Sequence, residues 1–489
     1  MTGSTSTPRG ALPGELPHER FQPDQLTHAQ RVHIMGVGGT AMGTFAGMLA
    51  SSGVEVRGSD VAPPYPPMSD QLAAHGIPVM AGYGAQNLDW GPDLVVVGNV
   101  IRRVNPEAVA VRARRLPHVS FPEAFGALLL RDRRSLVVTG THGKTTTTSL
   151  LAWLLTATGH DPSLFVGGVP LNFGRSYRLG AGPHFVVEGD EYDTAYFDKG
   201  PKFLHYRPAV AVITNIEFDH ADIFANVDVI ETEFRRLAAL VPKDGRLVVN
   251  GGCARSLRAA EACRGRVETF GTAASTWQAR DLQGSRFTLV RDGEAIGTVD
   301  SPLYGRHNVE NALAALAVAI GEGVPAADAC TAISGFLGVK KRHEVKGVAR
   351  GVTVLDDFAH HPTAVRETLA AIVARFLGQR VWVAFEIESN TSRRKVFQAE
   401  WARAFQGAHT VLFCKPFDKP DNLPPEERID LEAVIADLTA HGTPAHVIPE
   451  VDDLVGWLVE RVAPGDVVVG MSGRAFSGFH QKLLQSLEG

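Results

Sequence analysis

Residues 135–139 read Ser-Leu-Val-Val-Thr, a short apolar strand that runs directly into Gly140-Thr-His-Gly-Lys-Thr-Thr146 and then into a helical stretch through Leu155. Few local patterns restrict a fold as much as this one. Glycines let backbone N–H groups close on a polyphosphate, and the start of the following helix adds favourable partial charge. Lys144 reaches the β and γ phosphates and Thr145 can ligate Mg²⁺. The spacing therefore predicts an ATP cradle formed by Gly140, Thr141, His142, Gly143, Lys144, Thr145 and Thr146. The stretch between its glycines is shorter than in the common G-x-x-x-x-G-K-[ST] form, which argues against an ordinary kinase or GTPase.

Similar alternation extends on both sides. Upstream, a strand at 31–35 leads into Gly36-Val-Gly-Gly-Thr-Ala-Met-Gly43, then a helix through Ala50 and strands at 54–58, 94–97 and near Val119. Downstream of the cradle, strands are expected at 185–187, 210–214 and 246–249, with helices at 227–240 and 308–320. A third run places strands at 352–355, 381–385, 411–413 and 467–469 and helices at 363–376 and 394–404. Strands alternating with helices imply doubly wound parallel sheets. A chain of 489 residues suits about three domains at 100–200 residues each. The expected division is a loose tail at 1–29, a first domain at 30–132, a central domain at 133–342 and a third at 343–489.

Several polar clusters stand at strand ends. Val186-Val-Glu-Gly-Asp-Glu-Tyr-Asp193 puts acidic residues beside the cradle, where Glu188 suits a hard cation such as Mg²⁺; the bland alternative is a solvated acidic turn. Thr214-Asn-Ile-Glu-Phe-Asp-His220 ends in a histidine that is either a ligand or a packed loop residue. Asn308 and Asn311 lie one helical turn apart and can read the edge of adenine, unless Asn308 only caps the helix. Lys340-Lys-Arg-His-Glu344 and Asp356-Asp-Phe-Ala-His-His-Pro362 concentrate charge and imidazole near the start of the third segment. In the first segment, Gly36, Gly38, Gly39, Thr40 and Gly43, with Asp60 beyond, form a loop for NAD or any nucleotide diphosphate.

In this order the motifs G-T-H-G-K-T-T, E-x-D-E-x-D, T-N-I-E-x-D-H, G-x-H-N-x-x-N, K-R-x-E and D-D-x-A-H-H-P resemble the Mur ligase family. The resemblance implies a three-domain α/β architecture: a Rossmann-like domain for a UDP-sugar, a central P-loop ATPase-like domain, and a Rossmann-like domain for the incoming amine. It assigns the glycine loop, with Asp60, to UDP-N-acetylmuramate rather than NAD. It gives Mg²⁺ to Thr145, Glu188 and His220, adenine to Asn308 and Asn311, ribose to Asp356 and the γ-phosphate to Arg342. Lys144, His220, Arg342 and His360 are the implied catalytic residues, with His360 the candidate base for the amine. Other branches carry a carbamylated lysine on the helix after His220; here that helix reads Glu231-Thr-Glu-Phe-Arg-Arg-Leu237, so no carbamate is expected.

The implied reaction is ATP-dependent amide formation through an acyl phosphate, the acceptor being L-alanine or the preformed tripeptide L-Ala-γ-D-Glu-meso-diaminopimelate. The tripeptide is favoured by an insert at 196–206, by Gly168-Val-Pro-Leu-Asn-Phe-Gly174, by Asp219-His-Ala-Asp-Ile-Phe224, and by Glu386-Ile-Glu-Ser-Asn-Thr391, whose Ser389, Asn390 and Thr391 are the expected acceptor residues. That last motif departs from the family's E-P-R-S-N-T: Glu388 reverses a charge, leaving Arg393 or Arg394 as bases that could meet a peptide carboxylate. Two rival classes are a dehydrogenase using the first glycine loop, which leaves the central cradle unexplained, and a nucleotide-switched binding protein. A net charge of −5 gives no broad footprint for nucleic acid or an anionic membrane. The four cysteines are scattered as free thiols would be, and no apolar run approaches the roughly 20 residues of a membrane span, so a cytoplasmic enzyme is expected.

Overall fold

The computed structural model describes residues 28–65, 68–414 and 423–489. The tail expected at 1–29 lies, up to residue 27, outside the described residues. The chain divides into two compact units: one comprises 1–167, 175–216 and 230–269, the other 168–174, 217–229 and 270–489. Among the described residues no helix is long and apolar enough to cross a membrane.

In the first unit, the strands Val79–Ala81, Glu55–Asp60, Arg31–Met35, Leu94–Val97 and His118–Ser120 form a five-stranded parallel sheet in that spatial order. A second sheet segment orders Arg246–Asn250, Val210–Ile213, Arg134–Thr139, His184–Glu188 and Ser163–Phe165 in parallel, with Tyr177–Arg178 antiparallel at its edge. The strands Leu94–Val97 and Val210–Ile213 are buried at every position, as expected of parallel strands covered on both faces.

The segment at 196–206, read in the sequence as an extended insert, packs into the first unit. Phe203 and Tyr206 are fully buried, Tyr206 against Phe125 at 5.5 Å and Phe203 against Phe234 at 5.3 Å. Tyr196 accepts a 2.7 Å hydrogen bond from Arg112. The apolar residues that make this segment conspicuous in sequence are spent on core packing.

Beneath the first glycine loop lies a buried polar cluster. Glu107 Oε1 accepts from Ser59 at 2.6 Å and lies 2.7 Å from His33 Nε2, while Oε2 accepts from Asn87 at 2.6 Å and from the Gly84 N–H at 3.2 Å. Burial opposes its charge, but these donors, His33 foremost, hold the carboxyl below the usual range. Glu107→Ala should cost on the order of 3 kcal/mol, since several donors are orphaned at about 1–3 kcal/mol each. Urea unfolding of the two proteins checks this. Because the folded pKa is depressed, the contribution is present above the unfolded carboxyl pKa and fades as pH falls through the folded one.

The second unit holds an antiparallel meander, Trp277–Gln283, Arg286–Arg291 and Glu294–Asp300, which no periodicity announced. Its six-stranded sheet orders Glu344–Ala349, Val352–Asp357, Val467–Met471, Val381–Phe385, Thr410–Phe413 and Ala445–Val447. All are parallel except the first. The helix expected over 394–404 is a 3₁₀ turn at Lys395–Phe397 followed by an α-helix at Gln398–Ala404.

Candidate active site

The cradle takes the shape its glycines allow. Gly140 has φ +126°, and a Cβ there would lie 2.0 Å from Thr214 Oγ1; Gly143, at φ +83°, caps the helix Lys144–Ala157. Both conformations exclude ordinary side chains. The loop is fastened to the end of the neighbouring strand: Thr214 donates to the carbonyls of Thr139 and His142, Asn215 Oδ1 accepts from the His142 N–H at 2.9 Å, and the Thr141 N–H reaches the Asn215 carbonyl at 3.0 Å. Asn215 was not singled out in the sequence, although its motif was.

Lys144 Nζ donates to the Gly140 carbonyl at 2.7 Å and to Glu191 at 3.0 Å. Burial works against its charge, yet Glu191, Asp190 and Glu188 hold the ammonium pKa well above its ordinary value. Asp190 is paired with Lys202 at 2.9 Å, and Lys202 also sits 3.9 Å over the Tyr192 ring. Glu188 instead accepts from the Thr145 hydroxyl at 2.9 Å and the Gly167 N–H at 2.7 Å. Burial and repulsion from Asp190 push its carboxyl up. A carboxylate under that pressure, beside a hydroxyl at a strand end, is a donor set that suits a divalent cation. Glu191 and Lys202 were missed because an acidic run does not reveal which member faces which base.

In the first glycine loop, Gly36 adopts φ +81° and its N–H bonds to the Ser59 carbonyl at 2.8 Å. Gly39 caps the helix Thr40–Ser51 and brings no capping side chain, leaving a first turn suited to phosphate. Two of the expected residues also make contacts within the protein. Asp60 Oδ2 accepts from the Gly38 N–H at 2.8 Å and Oδ1 from the Val61 N–H at 2.7 Å, so its carboxylate shapes the loop. A Cβ on Gly43 would lie 2.0 Å from Met68 Sδ, so that glycine serves helix packing.

The second unit carries the remaining expected residues. Asn308 and Asn311 are buried, and Asn311 Nδ2 donates to Asn308 Oδ1 at 3.1 Å. Gly305 is the N-cap of the helix Arg306–Gly321, so the capping alternative for Asn308 fails; its amide instead donates to the Tyr304 carbonyl at 2.9 Å. Arg342 lies 4.4 Å over the Phe358 ring, between Lys341 at φ 58° and His343 at φ 50°. Such left-handed non-glycine residues store strain that tends to cluster at working sites. Asp356 is buried 3.5 Å from His480 Nε2. Burial pushes Asp356 up to about 6, partly offset by Lys341, and draws His480 down to about 4.

His220 is also left-handed, at φ 52°, and its N–H donates to Asp219 at 2.7 Å. Burial opposes the charge on Asp219, but His220, His360 and His361 overcome it and hold the carboxyl far below its ordinary value. His360 Nδ1 lies 2.9 Å from the Phe358 carbonyl; protonated there, it keeps Nε2 as the basic nitrogen. Thr391 donates to Asp219 at 2.7 Å, Asn390 to Asp222 at 2.7 Å, and Ser389 and Ser392 share a 2.8 Å bond. The three expected acceptor residues thus brace the 219–222 loop and their own turn. Of the two bases expected to meet a peptide carboxylate, Arg394 is engaged with Glu427 and Arg393 is buried; Glu388 itself accepts from Arg474, whose Nε lies 3.1 Å away.

Three family descriptions match successive parts of the chain: the Mur ligase family catalytic domain at 31–133, the Mur ligase middle domain at 138–319 and the Mur ligase glutamate ligase domain at 341–474. The chain belongs to the Mur ligase family, as an ATP-dependent ligase that forms amide bonds. Over 94% of its length it is 40% identical to 98% of the UDP-N-acetylmuramate--L-alanyl-gamma-D-glutamyl-meso-2,6-diaminoheptandioate ligase of Escherichia coli (strain K12). Over 91% it is 36% identical to 93% of the UDP-N-acetylmuramate--L-alanine ligase of Renibacterium salmoninarum. A crystal structure of a murein peptide ligase from Psychrobacter arcticus 273-4 covers 94% of the chain and is itself covered over 98%, with TM-score 0.69 and 35% identity.

Proposed function

We propose that this protein joins the lactyl carboxylate of UDP-N-acetylmuramate to the alanine amine of L-Ala-γ-D-Glu-meso-diaminopimelate, as peptidoglycan recycling requires. The observation that carries this reading is the higher identity, 40% over 94% of the chain against 36% over 91%, to the ligase named for that tripeptide than to one named for L-alanine. A carboxylate is a poor electrophile because its charge is delocalised and it has no leaving group. The carboxylate oxygen bonds to the γ-phosphorus as the bond to the bridging oxygen of ADP breaks; the amine then attacks the acyl carbon and phosphate departs.

Lys144 meets the phosphate charge that shifts during transfer. Thr145, Glu188 and His220 would hold Mg²⁺, which would supply further positive charge against the phosphates. Arg342 faces the γ-phosphate, Asn308 and Asn311 the adenine, and His360 receives the amine proton. Gly36, Gly38, Gly39 and Thr40 hold the UDP diphosphate. ADP and phosphate should appear in equal amounts with the amide, and only when ATP, UDP-N-acetylmuramate and the peptide are all present. ATP hydrolysis without a carboxylate substrate would favour the nucleotide-switched binding protein instead.

Asp356, as the ribose acceptor, gives a pH signature. With its carboxyl pushed up to about 6, it gains a proton as pH falls through that value and loses its capacity to accept two hydroxyl bonds. The KM for ATP should therefore rise below about pH 6 in the wild type, beyond the drift due to ATP's own titration. Asp356→Asn should show the drift alone. The sign for stability is opposite: a raised folded pKa favours the folded state fully below the unfolded carboxyl pKa, and that advantage is lost as pH rises through about 6.

A further inference from the structure

The strands Val381–Phe385 and Val467–Met471 are parallel neighbours, with Phe385 opposite Met471. The loops leaving them carry Glu388 and Arg474 to the carboxyl edge of the sheet, where open α/β sheets bind ligands. Glu388 is seated tightly: a Cβ on Gly473 would lie 2.3 Å from its Oε1, and its side chain is 9% exposed against 45% for Arg474. Its Oε2 accepts from Arg474 Nε at 3.1 Å. The arginine backbone is fixed at both ends, its N–H donating to Ser472 Oγ at 2.9 Å and its carbonyl accepting from Lys341 Nζ. A buried carboxylate that grips one edge of a half-exposed guanidinium sets the plane of that group.

The proposed acceptor carries carboxylates with which a cation can pair. Its γ-linkage leaves the α-carboxylate of glutamate ionised, and the diaminopimelate brings two more carboxylates and an ammonium. We infer that Arg474 binds an acceptor carboxylate and that Glu388 is its positioning residue, the two loops having exchanged the charge that E-P-R-S-N-T would place at position 388. This rests on the tripeptide reading above and concerns how that acceptor is held.

Steady-state kinetics with the tripeptide as varied substrate tests it. Arg474→Ala should raise the acceptor KM by roughly 10- to 100-fold, the range for a lost hydrogen bond to a charged group, while the KM values for ATP and UDP-N-acetylmuramate stay put. Arg474→Lys should recover part of the loss, and Glu388→Gln, which keeps the shape but not the charge, should give a smaller rise. Tripeptides amidated singly at each carboxylate identify the contact: for one of them, wild type and Arg474→Ala should become equal. An unchanged tripeptide KM in Arg474→Ala, with only a lowered Tm, would make the pair a structural salt bridge and overturn the inference alone. A wild type that prefers L-alanine to the tripeptide would overturn the functional reading, and this one with it.

Discussion

Replacing Lys144 with alanine is expected to lower kcat by on the order of 10²–10³-fold or more, the scale of removing one preorganised donor from a site of developing charge. Backbone N–H groups at Gly143 and beyond orient phosphate oxygens but supply no full charge, so they cannot substitute. The ammonium is held against the loop itself, 2.7 Å from the Gly140 carbonyl. Single-turnover ADP release measures the step directly. UDP-N-acetylmuramate binding by calorimetry should stay near wild type, since the sugar nucleotide is assigned to the first sheet. Lys144→Ala also removes the ion pair to Glu191, which is 2% exposed, so a thermal melt separates lost catalysis from lost folding. Near-normal turnover in a folded variant would remove the ATP-site assignment.

The second large effect is acceptor choice. Free L-alanine should be used about 10⁴-fold less efficiently than the tripeptide, because a site that pairs with distal carboxylates and an ammonium leaves polar groups unsatisfied when a short acceptor binds. Comparing kcat/KM for L-alanine, L-Ala-γ-D-Glu and the tripeptide should show a graded rise. Equal or better use of L-alanine would move the protein to the biosynthetic reaction. The whole-chain similarity to the ligase named for the tripeptide supports this expectation.

Features fixed within a few residues were legible in the sequence. Gly140, Gly143 and Lys144 announce the cradle because strand, turn and helix follow one another without a break. The parallel strands show as short apolar runs for the same reason. Partnerships across long separations were hidden: Asn215 meets His142 across 73 residues, and Glu388 meets Arg474 across 86. Sequence showed the reversed charge at position 388 and offered Arg393 and Arg394 for the peptide carboxylate, while nothing near it in the chain pointed to Arg474. The antiparallel meander at 277–300 escaped because its strands alternate polar and apolar residues irregularly, with register shifts after Arg280 and Leu289. The length of the insert at 196–206 was legible, but not that Phe203 and Tyr206 would be buried in the core, because their packing partners Phe234 and Phe125 are distant in the chain.

The resting pair of Lys144 and Glu191 has a consequence for how ATP binding responds to salt. A bare cationic cradle would attract a polyanion strongly at low ionic strength and lose that attraction as the Debye length shrinks from about 30 Å at 0.01 M to about 10 Å at 0.1 M. Here the ammonium already carries a carboxylate at 3.0 Å, with Asp190 and Lys202 paired beside it. With Lys144 assigned to the phosphates, nucleotide binding would exchange one ion pair for another and release Glu191 from this base. Much of the long-range field is cancelled before ATP arrives, so the ATP affinity of this protein should vary only shallowly with added potassium chloride.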